Sequence, residues 1–144
     1  MAETFSDIEV GRKVTGQPFA VSHETIRAFA EASIDFNPLH FDEKYMESQF
    51  GKTKFKGVIA HGMATFAQTT RTLTDWLYER GGLQKRLETR WLAPVYPGDT
   101  ITPQAVVREK VETAHGRWLV FEMSVENQDG QQVARGEAMA EFPE

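Results

Sequence analysis

The sequence predicts an α+β fold in which one long helix lies against several antiparallel strands, and three observations carry that reading. From Ala60 to about Glu79, Met63, Ala64, Phe66, Ala67, Thr70, Leu73 and Leu77 recur at helical spacing, with no charged residue between Gly62 and Thr70. Further on, Leu119, Phe121, Met123 and Val125 alternate with Val120, Glu122, Ser124 and Glu126, the period of a strand. Past the turn Asn127-Gln128-Asp129-Gly130, one face carries Ala134, Gly136, Ala138, Ala140 and Phe142, and such small residues let a helix approach the sheet closely.

The remaining elements follow in chain order. Lys13 to Val21 reads as a first strand. Ser22 is a helix N-cap, and Ile26, Phe29 and Ala30 mark one face of a short helix that ends near Ser33. Pro38 fixes its own φ and pushes Asn37 out of helical geometry, so the segment after that helix is a stiff turn. Asp42 caps a helix over Glu43 to Gln49, and Gly51 to Gly57 is a basic loop. The long helix is expected to be mostly enclosed over its first half, since a surface helix shows charge within two turns. Gly81-Gly82 stops it. A strand then covers Gln84 to Leu92 and ends before Pro94, and in the next one Ile101, Ala105, Val107 and Val111 share a face.

Length and composition narrow the function classes. The 144 residues suit a single domain over 1–144, and 40% hydrophobic with 26% charged residues is ordinary for a soluble globular chain. A net charge of −5 gives no sign of nucleic acid or an anionic membrane as partner. The absence of cysteine excludes disulfides, thiolate catalysis and cysteine-held metals, and fits a reducing, cytoplasmic setting. Residues Met1 to Phe5 lack the basic and apolar regions of a signal peptide, and no apolar run approaches the roughly 20 residues of a membrane helix.

The chemistry concentrates in two segments. Asp35 and His40 lie in Ser33-Ile34-Asp35-Phe36-Asn37-Pro38-Leu39-His40-Phe41-Asp42, and Ala60-His61-Gly62-Met63 follows about twenty residues later. A carboxylate and an imidazole on a rigid turn can exchange protons near neutral pH. Gly62 opens the long helix, where free N–H groups and the helix dipole favour negative charge, and glycine lets a ligand reach the backbone. These are the parts that move a proton beside a thioester or another carbonyl. Read separately, Asp35 could cap local N–H groups and His40 could be a satisfied, partly buried histidine. His61 reads as structural, bonding near the helix entrance; His23 and His115 read as solvated; Asp42 reads as a cap. The phenylalanines at 29, 36, 41, 50 and 66 read as core or tunnel lining.

Together these segments resemble the MaoC-like dehydratases, the hot-dog-fold group that includes (R)-specific enoyl-CoA hydratases. The resemblance rests on Ser33, Asp35, Asn37, Pro38, Leu39, His40 and Asp42, then Phe50, then Ala60-His61-Gly62-Met63, then Trp91-Leu92-Ala93-Pro94-Val95-Tyr96-Pro97-Gly98-Asp99. Ile34 departs from the glycine usual at its position, and Trp91 from phenylalanine. The resemblance implies a curved antiparallel sheet wrapped around the long helix, and a homodimer with an acyl tunnel along the subunit interface. It implies reversible hydration of trans-2-enoyl thioesters to (R)-3-hydroxyacyl thioesters, with Asp35 and His40 sharing one water and dividing the base and acid roles. The Gly62 N–H would hold the thioester oxygen, Asn37 would support the turn or touch substrate, and Thr70 would stand where related hydratases have a serine. Coenzyme A or acyl carrier protein would be the substrate's carrier, with no separate cofactor. Lys52, Lys54 and Lys56, the densest basic cluster, are candidates for its phosphates or simply a wet loop.

Other functions compete. A hot-dog thioesterase would aim activated water at the thioester carbon, and a non-catalytic acyl-binding or dimerisation subunit would use the pocket alone. His40-Phe41-Asp42 has the His-x-Asp spacing of non-haem iron sites, which His61 or His115 could complete. That spacing is common by chance and here adjoins a proline turn and a helix cap, so no metal is expected.

Overall fold

The computed structural model describes residues 3–143. Its centre is a six-stranded antiparallel sheet in the order β1-β4-β5-β6-β3, with β2 also paired to β4. The strands are β1 Lys13–Thr15, β2 Phe19–Ala20, β3 Leu83–Trp91, β4 Thr100–Thr113, β5 Gly116–Glu126 and β6 Gln132–Phe142. The helices are α1 His23–Ser33, α2 Glu43–Phe50 and α3 Gly62–Tyr78. α3 meets β1, β3, β4 and β5, strands from the middle and both edges, so the sheet curls around it.

The alternation in the last strands orients them as expected. Leu119, Phe121, Met123 and Val125 are buried, as are Ala134, Ala138, Ala140 and Phe142 opposite them. With Leu73 and Leu77 of α3, most of these form one core cluster; Val21, Ile26, Ala60, Val95, Ile101, Val125, Val133 and Ala134 form a second. The second cluster includes Ala60, two residues before Gly62, and so anchors the chain where it enters α3. Gly136 is needed for the sheet itself, because a Cβ there would lie 1.8 Å from the Glu88 carbonyl oxygen of β3.

Three expectations change. The first strand is two short ones, since the chain breaks at Gly16-Gln17-Pro18, where proline brings no N–H to a ladder. Val111 leaves the inner face of β4: a bulge between Val107 and Glu109 shifts the register, so Lys110 turns inward to bond the Ser6 and Ile8 carbonyls while Val111 turns out. The long helix is not enclosed over its first half. Its sheet-facing stripe is Thr65, Thr69, Thr72, Leu73 and Leu77, which leaves Met63 52% exposed and Ala67 exposed. Thr69 and Thr72 sit in that apolar contact because their hydroxyls donate to carbonyls four residues back.

Candidate active site

Three distant segments are stitched together at the start of α3. The first is the turn after α1. Ser22 caps α1 by accepting from the Thr25 N–H, and the helix ends at Ile34 in a left-handed conformation, φ 59° and ψ 29°. Asp35 follows, its Oδ1 accepting from the Asn37 N–H at 3.2 Å, while Asn37 Oδ1 accepts from the Leu39 N–H at 3.1 Å. Asn37 thus caps the single 3-10 turn Pro38–His40, the supporting role its position suggests. Asp42 caps α2 by accepting from the Tyr45 N–H.

The second segment, Ile59 to Gly62, is pinned to the first from both directions. The Ile59 N–H donates to the Leu39 carbonyl at 3.1 Å, and His40 Nδ1–H donates to the Ile59 carbonyl at 2.7 Å. His61 Nε2–H donates to the Asp35 main-chain carbonyl at 2.9 Å. The third segment braces the second: the Ala60 N–H donates to the Val95 carbonyl, and Gly98, at φ 100°, makes the turn that Asp99 closes onto Tyr96. These bonds explain why three motifs far apart in sequence belong to one site.

Asp35 is exposed, while His40 and His61 are 7% and 2% exposed. One ligand atom from each of Asp35, His40 and His61 lies within 4.8 Å of the others. Because Nδ1 of His40 carries the proton given to Ile59, its Nε2 is the lone-pair nitrogen. Burial pushes the His40 pKa below its ordinary value, and His61 adds to that; the Ile59 carbonyl and the Asp35 carboxylate pull the other way without overcoming it. The two imidazoles stack, centroids 3.7 Å apart and planes 24° from parallel. A metal binds in the plane of an imidazole at about 2.0–2.1 Å, and planes so nearly parallel do not meet that close to the rings. With the Asp42 carboxylate engaged as a cap, the geometry does not fit the iron triad.

A cavity of about 250 Å³ adjoins Gly62 and is lined by Lys54, Phe55, Ile59, Thr65, Trp91 and Val95 among others. Trp91 Nε1–H donates to the Gly62 carbonyl at 2.9 Å, and a Cβ at position 62 would lie 2.8 Å from that nitrogen. A side chain at position 62 would therefore have to displace the indole. Of the basic loop, Lys54 lines the cavity; Lys52 and Lys56 do not, and the Lys56 N–H donates to the Tyr96 hydroxyl. Thr70 does not line it either: its hydroxyl donates to the Phe66 carbonyl, and the α3 threonine at the cavity is Thr65. Motif reading did not find Thr65; its place one turn after Gly62, on the sheet-facing stripe, is the signal available in the sequence.

An antiparallel sheet curled around a long helix, with an Asp–His turn at the helix entrance, defines a hot-dog protein of the kind found among hydratases. The sequence profile described as "MaoC like domain" matches residues 6–132, and the chain belongs to that family. It is 33% identical over 103 residues to the (R)-specific enoyl-CoA hydratase of Rhodospirillum rubrum, covering 72% of this chain and 68% of that one. With the (R)-specific enoyl-CoA hydratase of Aeromonas caviae it shares 29% over 140 residues, 94% of this chain and 96% of that one. The solved R-hydratase PhaJ1 of Pseudomonas aeruginosa, 31% identical, superposes with a TM-score of 0.81 over 97% of this chain and 85% of its own. The relatives' names place the family among hydro-lyases. No helix among the described residues is long and apolar enough to cross a membrane.

Proposed function

We propose that this protein reversibly hydrates trans-2-enoyl thioesters to (R)-3-hydroxyacyl thioesters, with Asp35 and His40 holding one water. The observation that carries the reading is the convergence of the Asp35 carboxylate and the His40 imidazole within 4.8 Å, beside the residue that precedes the first N–H of α3. In this mechanism the Asp35 carboxylate accepts one O–H of the water and orients it. Nε2 of His40 takes the other proton as the oxygen attacks C3, and the resulting imidazolium returns a proton to C2. Hydroxyl and hydrogen are thus added across the double bond with nothing left over. The charge that builds on the thioester oxygen is met by the Gly62 N–H at the helix start. The depressed His40 pKa supports the base role, since it keeps Nε2 unprotonated at neutral pH. The (R) configuration follows the named relatives.

The carrier is coenzyme A or acyl carrier protein, no further cofactor or metal takes part, and the loop lysine that meets its phosphate is Lys54, a reading supported by its position in the cavity lining. The working form is a homodimer. Asp35 is open in the single chain, and Ile34, Phe36, Phe41 and Met63 are exposed apolar residues on the segments around it. A second copy would cover them and close the tunnel. A cytoplasmic location is supported by the absence of cysteine.

The test is turnover of enoyl-CoAs of graded chain length, followed by loss of enone absorbance and by product analysis. Asp35→Asn and His40→Ala should each lose about 10²–10⁴-fold in kcat with folding intact. Retained turnover in both variants, or release of free CoA in place of hydration, would end the assignment.

A further inference from the structure

His61 occupies a place in the site that neither its motif nor the water mechanism uses. It is only 2% exposed, and it touches both members of the proposed pair. Its Nε2–H donates to the main-chain carbonyl of Asp35 at 2.9 Å. Its ring lies flat on His40 at 3.7 Å, with Phe29 on its flank at 4.9 Å between centroids. Its own main chain is the N-cap of α3, so the next residue supplies the Gly62 N–H. The remaining nitrogen, Nδ1, is buried without a partner.

That orphan nitrogen is informative. A phenylalanine would fill the same space and stack on the same ring without leaving a buried acceptor unpaired, which costs stability. What imidazole adds over a phenyl ring is the bond to Asp35. We propose that His61 is a positioning residue that ties Asp35, His40 and the oxyanion donor Gly62 into one rigid unit. The inference rests on the hydratase reading above and adds to it the group that sets the pair's relative placement. Without the bond, the Leu39 and His40 end of the turn stays pinned to Ile59, while Asp35 itself is held only by the Asn37 N–H, on a left-handed Ile34 linkage that is already strained. Misplacement of a catalytic group by a fraction of an ångström to an ångström is sufficient to lower turnover strongly.

Among the described residues the titratable groups facing His40 are Asp35 and His61, and the Ile59 carbonyl is its remaining polar neighbour. Replacing His61 by an uncharged ring removes a neighbour that disfavours His40 protonation, so the acidic limb of the kcat profile should move to higher pH.

The experiment compares His61→Phe with His61→Gln in the 144-residue chain, on the enoyl-CoA that the wild type turns over best. Gln keeps a donor for the Asp35 carbonyl; Phe keeps the ring. H61F should lose at least tenfold in kcat with KM within about twofold, and its acidic limb should move up in pH; H61Q should recover most of the kcat. A purely structural role would reduce folded protein while leaving kcat per folded site and the limb in place, and that result overturns the proposal, as does equal loss in H61F and H61Q. Should H61F fail to fold, imidazole nitrogen NMR on the wild type at pH 7.5 still decides. His61 protonated at Nε2 and His40 at Nδ1 support the proposal, and His61 protonated at Nδ1 overturns it. Asp35→Asn and His40→Ala, run in parallel, separate the two readings: their retained activity sinks the hydratase mechanism, whereas their loss with a fully active H61F sinks only the role of His61.

Discussion

Ile34 is the sole non-glycine residue among those described with a positive φ, and it is 82% exposed. A β-branched side chain in the left-handed region costs about 1–2 kcal/mol, with little burial within the chain to offset it. The strain sits between the end of α1 and Asp35, where it helps turn the chain toward His40. Ile34→Gly should raise the urea midpoint by an amount worth roughly 1 kcal/mol, the relieved strain less the extra freedom of glycine in the unfolded chain. A lowered midpoint would mean that the isoleucine packs on a surface outside its own chain. The protonation of His40 is likewise coupled to stability. Its folded pKa lies below the ordinary 6.5, chiefly through burial. Between the folded and ordinary values the unfolded chain binds a proton that the folded chain does not, so stability must fall as pH drops through that window. Urea midpoints at pH 7.5, 6.5 and 5.5 should decline for the wild type and decline less for His40→Gln; equal slopes would show that the burial of His40 is not their source.

At the level of elements, the close approach of β3 to the start of α3 is the contact on which the site depends. Trp91 ends β3 half-exposed and donates to the Gly62 carbonyl, while the hydrogen of Gly62 stands where a methyl group would meet the indole at 2.8–2.9 Å. Gly62→Ala should therefore cost about 1–3 kcal/mol by overpacking and displace the indole, visible as a shift in tryptophan emission. Trp91→Ala in the same chain should recover part of the loss, because the two changes act on one contact and are not additive. Additive losses would place the penalty elsewhere. This contact also marks the boundary of what the sequence discloses. Leu119 to Val125 and Ala134 to Phe142 announce their faces because alternation is local, and Ser22 and Asp42 announce their helices because capping spans three residues. Asp35, His40 and Gly62 were legible as a constellation because their motifs are. The stacking of His61 on His40 was not, since it depends on how two segments 21 positions apart dock; nor was the bulge that turns Val111 outward, which moves a register without changing composition. The uncharged stretch of α3 predicts an enclosed helix, but the sheet covers only its threonine stripe. Lack of charge signals that a surface is to be covered and carries no information about which body covers it.

That uncovered stretch bears on assembly. Met63 on α3, Phe36 and Phe41 beside Asp35, and Trp91 and Leu92 at the end of the edge strand β3 are all exposed large apolar residues. Scattered apolar residues on a surface need no explanation, but these cluster around the proposed pair and along an unpaired strand edge, where exposure invites association. A second copy seated there would bury the apolar rim and remove bulk water from the Asp35 carboxylate, which strengthens every charge interaction in the site. Sedimentation should accordingly give twice the 16.3 kDa of the chain. Met63→Glu places a carboxylate in the middle of that rim without touching Asp35, His40 or the Gly62 N–H. It should shift the protein toward monomer, and turnover per chain should fall with the dimer fraction and rise again with protein concentration, because assembly completes the site. A monomeric M63E with undiminished turnover at every concentration would show that one chain holds a complete site, and that the apolar rim serves the substrate alone.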